Sequence, residues 1–453
     1  MGVDLSAEAD RTPQGIAASF ARAISSGTLQ PGDRMPTVRD VAGALGVSPA
    51  TVSAAWQALR RTGLVVSRGR AGSYVAETPR GWLSPRQRGM LGAEPSDLRL
   101  DLSRGIPDAT LLPSLGPALG RASALDATTT YQAEPVLPEL REALSRAWPY
   151  PPEMLTVVDG ATDAVARCLE QTVSYGDRVV VESPSFPPFF DLVESLGGEL
   201  VPVGMDHAGI VPAQLRAALR TRPAVLVLQP RAHNPTGISM TAERAVELAA
   251  VLRRAPGGVP WVVEDDHSGP ISTSPQVSLG THLPERVLHV RSFSKSHGPD
   301  LRIAALGGPA ELLEPLVARR MLGPGWTSRM IQHILLDLLG AARSMDEVAE
   351  ARRQYHARQR TLVTALAERG VHLLERGTIP DGINLWVGVR DEREALLHLA
   401  ASDIRAAAGS PFFPTTAAQG AEQRIRVTGG MVRPADVALV ADAIATAAEL
   451  EPR

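Results

Sequence analysis

Lys295 is the single lysine in a chain of 453 residues, and every other member of its 46 Lys plus Arg is arginine. A coding preference for Arg, Ala, Gly and Pro accounts for the arginines but not for the surviving lysine. Arginine keeps its proton, whereas a lysine amine can lose it and condense with a carbonyl to form a Schiff base. Lys295 lies in RSFSKSHGPDLR, at the end of an apolar run, VLHVRSF (287–293). Three other β-branched runs also end in polar residues. RVVVES (178–183) leads into PSFPPF, AVLVLQP (224–230) into RAHNPTG, and WVVED (261–265) into DHSG. Four such ends on one sheet edge would bring Lys295 together with Asp265, Asn234 and Ser292.

Near-continuous apolar strands alternate with amphipathic segments such as TAERAVELAAVLRRA, which predicts a doubly wound α/β domain from about residue 99. Its ligands belong at the carboxyl ends of the strands. After about residue 335 the pattern turns helical, then mixed, as expected of a smaller C-terminal α+β lobe. Residues 78–98, with Pro79, Pro85, Pro95 and several glycines, hold no helical or strand period and read as a linker, part extended and part flexible.

Residues 11–77 form a separate unit. Ile16, Phe20 and Ile24 recur four apart, marking one helix face. Thr37 and Ser48 stand where helix caps belong, with Pro49 at the permitted first position. LVVSRGRAGSYVA then gives two short β segments around a Gly/Arg turn. Helix, turn, helix and hairpin make a winged helix-turn-helix. Residues 11–76 carry eight arginines against Asp33 and Asp40, a balance of +6 that leaves −9 for the remainder of a chain of net charge −3. A basic head on an acidic body points to nucleic acid as a partner of the head.

Other classes are excluded. No run of about 18 apolar residues occurs, so no membrane span is expected. The acidic N-terminal stretch lacks the apolar core of a secretory signal. With Cys168 as the lone cysteine there is no internal disulfide, which fits a reducing cytoplasm. One Cys and scattered His also argue against a structural zinc site, and no metal is expected.

On HNPTG, the EDD strand end and the S-x-S-K-x6-R run, the chain from about residue 100 onward resembles the fold-type-I pyridoxal-phosphate (PLP) aminotransferases. The resemblance implies that Lys295 carries the cofactor and that Asp265, with Asp266 as the register alternative, pairs with its ring nitrogen and keeps the ring an electron sink. Asn234 then meets the phenolic oxygen. The phosphate falls to Ala161 and Thr162 at a helix start, to Ser292 and Arg302 on either side of Lys295, and to Tyr131 reaching a partner subunit. The nearby Asp163 opposes phosphate binding unless it points away. Phe186 and His267 stand where relatives often carry Tyr. Phe186 can stack on the ring, and His267 can donate to the phenolic oxygen with a pH-dependent charge. Arg426, with Arg424 as neighbour and alternative, matches the arginine that holds a substrate carboxylate, and Asn384 faces the same ligand.

Residues 24–75 resemble the GntR-type winged helix. That implies DNA contacts by Arg39, by Ser48 and Thr51 on the recognition helix, and by Arg68, Gly69 and Arg70 in the wing. Pro49 and Ser53 occupy recognition-helix positions that are often basic, so readout is expected to lean on phosphates, dimer spacing and DNA shape. The combination resembles the MocR-type regulators. It implies a PLP-binding homodimer with shared sites that binds a double-stranded operator and senses an amine, an amino acid or PLP itself through exchange at Lys295. An active aminotransferase with an appended head is the competing expectation.

Overall fold

The computed structural model describes residues 11–25, 28–61, 64–69, 72–76, 83–91, 98–123, 133–371, 373, 379–414 and 423–451. The head comprises α1 (Pro13–Ser25), α2 (Val38–Leu45) and α3 (Pro49–Arg61), followed by the wing strands β1 (Val65–Ser67) and β2 (Ser73–Val75), which pair antiparallel. Ile16, Phe20, Val41, Val52 and Trp56 form its core, with Phe20 edge-on to Trp56 at 4.7 Å. Thr37 caps α2 in a reciprocal pair with Asp40, and Gly46 ends that helix in the left-handed region at φ 65°. The Ser48 hydroxyl accepts the Thr51 N–H at 3.1 Å and so caps α3.

Within 78–98, where no helical period is evident and a part extended, part flexible linker is expected, the chain forms a short helix, α4 (Pro85–Leu91). Ser84 and Gln87 cap it reciprocally. Seven residues cannot sustain a helix alone, and tertiary contacts hold this one. Arg86 donates to Asp191 and to both oxygens of Glu194, and lies over the Phe190 ring at 5.5 Å. At the other end Met90 is buried with Trp386, Ala407 and Phe412.

The body is built on an eight-stranded sheet. In chain order its strands are β4 (Met154–Val158), β5 (Arg178–Ser183), β6 (Glu199–Asp206), β7 (Gly209–Ile210), β8 (Val225–Leu228), β9 (Trp261–Asp266), β10 (Val287–Ser292) and β11 (Ala304–Gly308). Across the sheet the order is β4-β11-β10-β9-β8-β5-β6-β7, with β10, β9, β8, β5 and β6 parallel. Apolar clusters fill both faces, which is why these strands read as continuous apolar runs. The smaller lobe carries β12 (Leu385–Gly388), β14 (Ala407–Ala408) and β15 (Arg424–Val427) as one sheet, packed by the helices Ala342–Glu368 and Val437–Ala448. It begins earlier in the chain than the pattern suggested. The strand β3 (Leu100–Asp101) pairs with β13 (Ile404–Arg405), and Leu102 belongs to the lobe's core. Among the described residues no helix is long and apolar enough to cross a membrane.

Candidate functional site

Lys295 follows β10 and leans across the strand ends. Its Nζ donates to the carbonyl of Gly105 at 2.9 Å. As a residue it is only partly buried, but its amine is enclosed, and that burial lowers its pKa to about 8. The nearby Arg426 guanidinium lowers it further and Asp265 opposes the shift.

Arg426 rises from β15 and is 1% exposed. Its Nη1 donates to Asn234 Oδ1 at 3.2 Å and its Nη2 to the Ser103 carbonyl. The guanidinium lies 5.1 Å over the Phe412 ring, and Nε has no partner among the described residues. Among the described residues no carboxylate pairs with it, and burial lowers its pKa to about 10. The alternative, Arg424, lies beside Gly388. Gly105, at φ 61°, passes so close that a β-carbon there would stand 3.2 Å from Arg426. The turn Ser103–Gly105 thus supplies one carbonyl to each cation, a role that no sequence signal announces.

The two acids at the end of β9 divide their work. Asp266 is tied to Arg231 at 2.6 Å, and that charge, with His289, keeps its pKa low in spite of burial. Asp265 points the other way. Its Oδ2 accepts from Gln229 Nε2 at 2.8 Å, while its buried Oδ1 has no partner among the described residues. Burial raises its pKa to about 6 against the hydrogen bond from Gln229.

Asn234 Oδ1 accepts from Arg426 and from Asn384 Nδ2 at 3.4 Å, so its amide nitrogen is left as the free donor. Asn384 is buried, and its own Oδ1 has no partner among the described residues. His267 departs from expectation. Its Nε2 lies 2.9 Å from the Ala232 carbonyl, a pure acceptor, so the ring proton is committed there. Burial, and then Lys295, push its pKa down to about 3, so the ring is neutral. The expected donation to a phenolic oxygen is not available from this ring, because Nδ1 can only accept. Phe186 is half-buried at the start of α8 (Pro187–Ser195), edge-on to Phe189.

An anion cradle lies at the start of α7 (Ala161–Thr172). Ala161 and Thr162 are its first residues, so their N–H groups have no partner within the helix. Gly160 (φ 104°) brings the backbone so close to Arg302 that a β-carbon would stand 2.7 Å from Nη2. Arg302 is exposed and donates to the Asp159 carbonyl at 3.0 Å. Asp163 does turn away: it accepts from the Asp159 N–H and pairs with Arg167 at 2.9 Å. Ser292 is buried at the end of β10. Tyr131 lies outside the described residues, as does Arg70 of the wing.

In the head, Arg39 is exposed on the first turn of α2. Ser48 is exposed and shares a 2.8 Å hydrogen bond with Thr51. Arg68 lies 4.8 Å over the Tyr74 ring, beside Gly69 at φ 59°.

These parts define a class: a winged helix carried on a fold-type-I body. Residues 12–75 match the family model described as bacterial regulatory proteins, gntR family, and residues 99–444 match aminotransferase class I and II. The vitamin B6 salvage pathway transcriptional repressor PtsJ of Salmonella typhimurium is 33% identical over 389 residues, covering 85% of this chain and 87% of that protein. The probable rhizopine catabolism regulatory protein MocR of Rhizobium meliloti is 27% identical, covering 84% and 80%. Among solved structures, an archaeal alanine:glyoxylate aminotransferase superposes with a TM-score of 0.70 at 19% identity, over 81% of this chain and 98% of that one. The chain belongs to the MocR-type GntR regulators, and its body binds PLP. The site fits that group: an amine of low pKa, a buried carboxylate oxygen awaiting a donor, an amide N–H and an anion cradle. Bound PLP supplies an electrophilic carbon and an electron-withdrawing ring.

Proposed function

We propose that this regulator's DNA binding is set at the Lys295 site, first by capture of PLP and then by a primary amine carrying a carboxylate. One observation carries the reading: among the described residues the buried guanidinium of Arg426 forms no ion pair, Asp101 only partly offsetting the effect of burial, and it lies beside a lysine amine of low pKa. A buried cation of this kind is costly until an anion reaches it. Lys295 would hold the cofactor, which would supply an electrophilic carbon to an incoming amine, and Arg426 with Asn384 would orient that amine's carboxylate. The Lys295 amine, with its lowered pKa, is the group there suited to accept or give up a proton. The head binds double-stranded DNA through Arg39, Ser48, Thr51 and the wing, in the cytoplasm. The name of the Salmonella relative supports the cofactor itself as one signal. Leu119 and Met330 are exposed on helices that pack together, which supports a second copy of the chain as partner.

The test is operator binding by gel shift, on DNA selected from random sequence, with PLP and a panel of amino acids and their decarboxylated amines. Carboxylated amines are expected to change the affinity at lower concentration than their decarboxylated counterparts, and Arg426→Leu to erase that preference. Lys295→Ala is expected to abolish all response. Steady keto-acid formation in the same mixtures would instead mark the protein as an aminotransferase.

A further inference from the structure

Behind Asp265 lies a further layer of buried polar groups, Gln229, Glu182 and His233. Gln229 follows β8 and is 3% exposed. Its Oε1 accepts the Asn234 N–H at 2.8 Å and its Nε2 donates to Asp265 Oδ2 at 2.8 Å. The orientation of this amide is not a free choice, because a backbone N–H can only donate and so must face the oxygen. The NH2 group therefore faces Asp265 and can be accepted only by an oxygen lone pair. A third bond fixes the base of the side chain, the Gln229 N–H donating to Glu182 Oε2 at 2.8 Å.

We propose that Gln229 is the positioning residue that aims the Asp265 carboxylate at the cofactor's ring nitrogen and holds it ionised. The geometry leaves Asp265 Oδ1 as the free oxygen, because Oδ2 is already taken from behind. A carboxylate with one oxygen bonded and the other facing the cleft presents its charge in one direction. The other groups near Asp265 do not substitute for this bond. Asp266 carries like charge and is spent on Arg231, and the amine of Lys295 is engaged with Gly105. Burial drives Glu182 well above its ordinary pKa and so disfavours a second negative charge there, and burial keeps the neighbouring His233 neutral. The same amide also fixes the backbone of Asn234, so one side chain sets the positions of two cofactor contacts.

The experiment compares two ligands in the full chain. PLP carries the ring nitrogen, and its deaza analogue has a C–H in that place and cannot pair with Asp265. Binding is read from the absorbance change as the aldehyde of each compound is captured by the protein. Gln229→Met keeps the volume and removes both hydrogen bonds. It is expected to weaken PLP about tenfold or more, the scale of a hydrogen bond to a charged group, and to weaken the deaza analogue less than threefold. Any displacement of Asn234 affects both ligands alike, so the difference isolates Asp265. Equal losses for the two ligands, or no loss for PLP, would overturn the proposal. If Gln229→Met does not fold, Gln229→Asn is read the same way, since it keeps the amide but is one methylene too short to span both partners.

Discussion

The lowered pKa of Lys295 has a kinetic consequence that can be worked through. At a pKa of about 8 instead of the ordinary 10.5, roughly a quarter of the protein carries a free amine at pH 7.5, against about 0.1% for an ordinary lysine. Attack on the PLP aldehyde needs that free amine. The rate of capture should therefore rise about 50-fold between pH 6 and pH 8 and less than twofold from pH 8 to pH 9. The sign of two substitutions follows from the causes. Arg426 lowers this pKa, so Arg426→Met should move the midpoint to higher pH, whereas Asp265 raises it, so Asp265→Asn should move it lower. The assay is stopped-flow absorbance on mixing the full chain, free of PLP, with PLP at each pH. Each rate is divided by the rate of the same PLP with a blocked free lysine, expressed per unit of that lysine's own free amine at each pH, which removes the ionisation of PLP itself without dividing out that of Lys295. A midpoint near 10, or shifts of the same sign in the two variants, would refute the reasoning.

Further expectations concern other parts of the chain. His267→Gln, which can keep the bond to Ala232, should leave the pH midpoint of the bound cofactor's visible band almost unchanged, while Asn234→Ala should raise it, as read by absorbance titration. Arg86→Ala removes three charge-assisted hydrogen bonds that dock α4. At about 1–2 kcal/mol this should raise local opening roughly 5- to 30-fold, measured as the rate of limited proteolysis between residues 78 and 98. Removing residues 1–77 should abolish operator binding and spare PLP binding. Arg68→Ala should lower the slope of log affinity against log salt by about one.

The legible parts of this protein were those whose cause is local. Lys295 stood out because no other lysine competes with it, and its strand could be read because β10 is buried on both faces. Thr37 and Ser48 could be read because a helix cap is decided within four residues. The illegible parts depend on residues distant in sequence. The helix α4 exists because Arg86 meets Asp191 and Glu194 more than a hundred residues on. The pairing of β3 with β13 joins positions about three hundred apart, so Leu100 and Asp101 looked like the start of the large domain and not part of the small lobe. Gln229 went unremarked inside AVLVLQP because its amide gains meaning only from Asn234 and Asp265. His267 could be placed at the site from its register, but its proton could not be, since that depends on where the Ala232 carbonyl turns.

The charges of the site explain why the same residues suit both holding a cofactor and sensing a ligand. Lys295, Arg426 and Arg302, with the start of α7, face the cleft as positive groups. Of the acids nearby, Asp266 is paired with Arg231 and Asp163 with Arg167, burial disfavours the charge of Glu182, and Asp101 acts on Arg426 only in opposition to a larger effect of burial; among the described residues Asp265 presents a buried oxygen without a partner. Without a ligand, the cleft therefore holds buried positive charge in excess, and an anion that fills it gains more there than in water. The phosphate would answer Arg302 and α7, and a carboxylate would answer Arg426. The second of these acts on both lobes, because Arg426 stands on the small lobe while Asn234, its hydrogen-bond partner, belongs to the large one. Phe412, beneath the Arg426 guanidinium, is packed with Met90 of α4, whose Arg86 is anchored to the large lobe. The helix α4, which precedes the body in the chain, thus contacts both lobes and would register a change in their spacing. A ligand can exploit this only through unequal affinity for the two spacings, and a carboxylate bridged by groups from both lobes meets that condition.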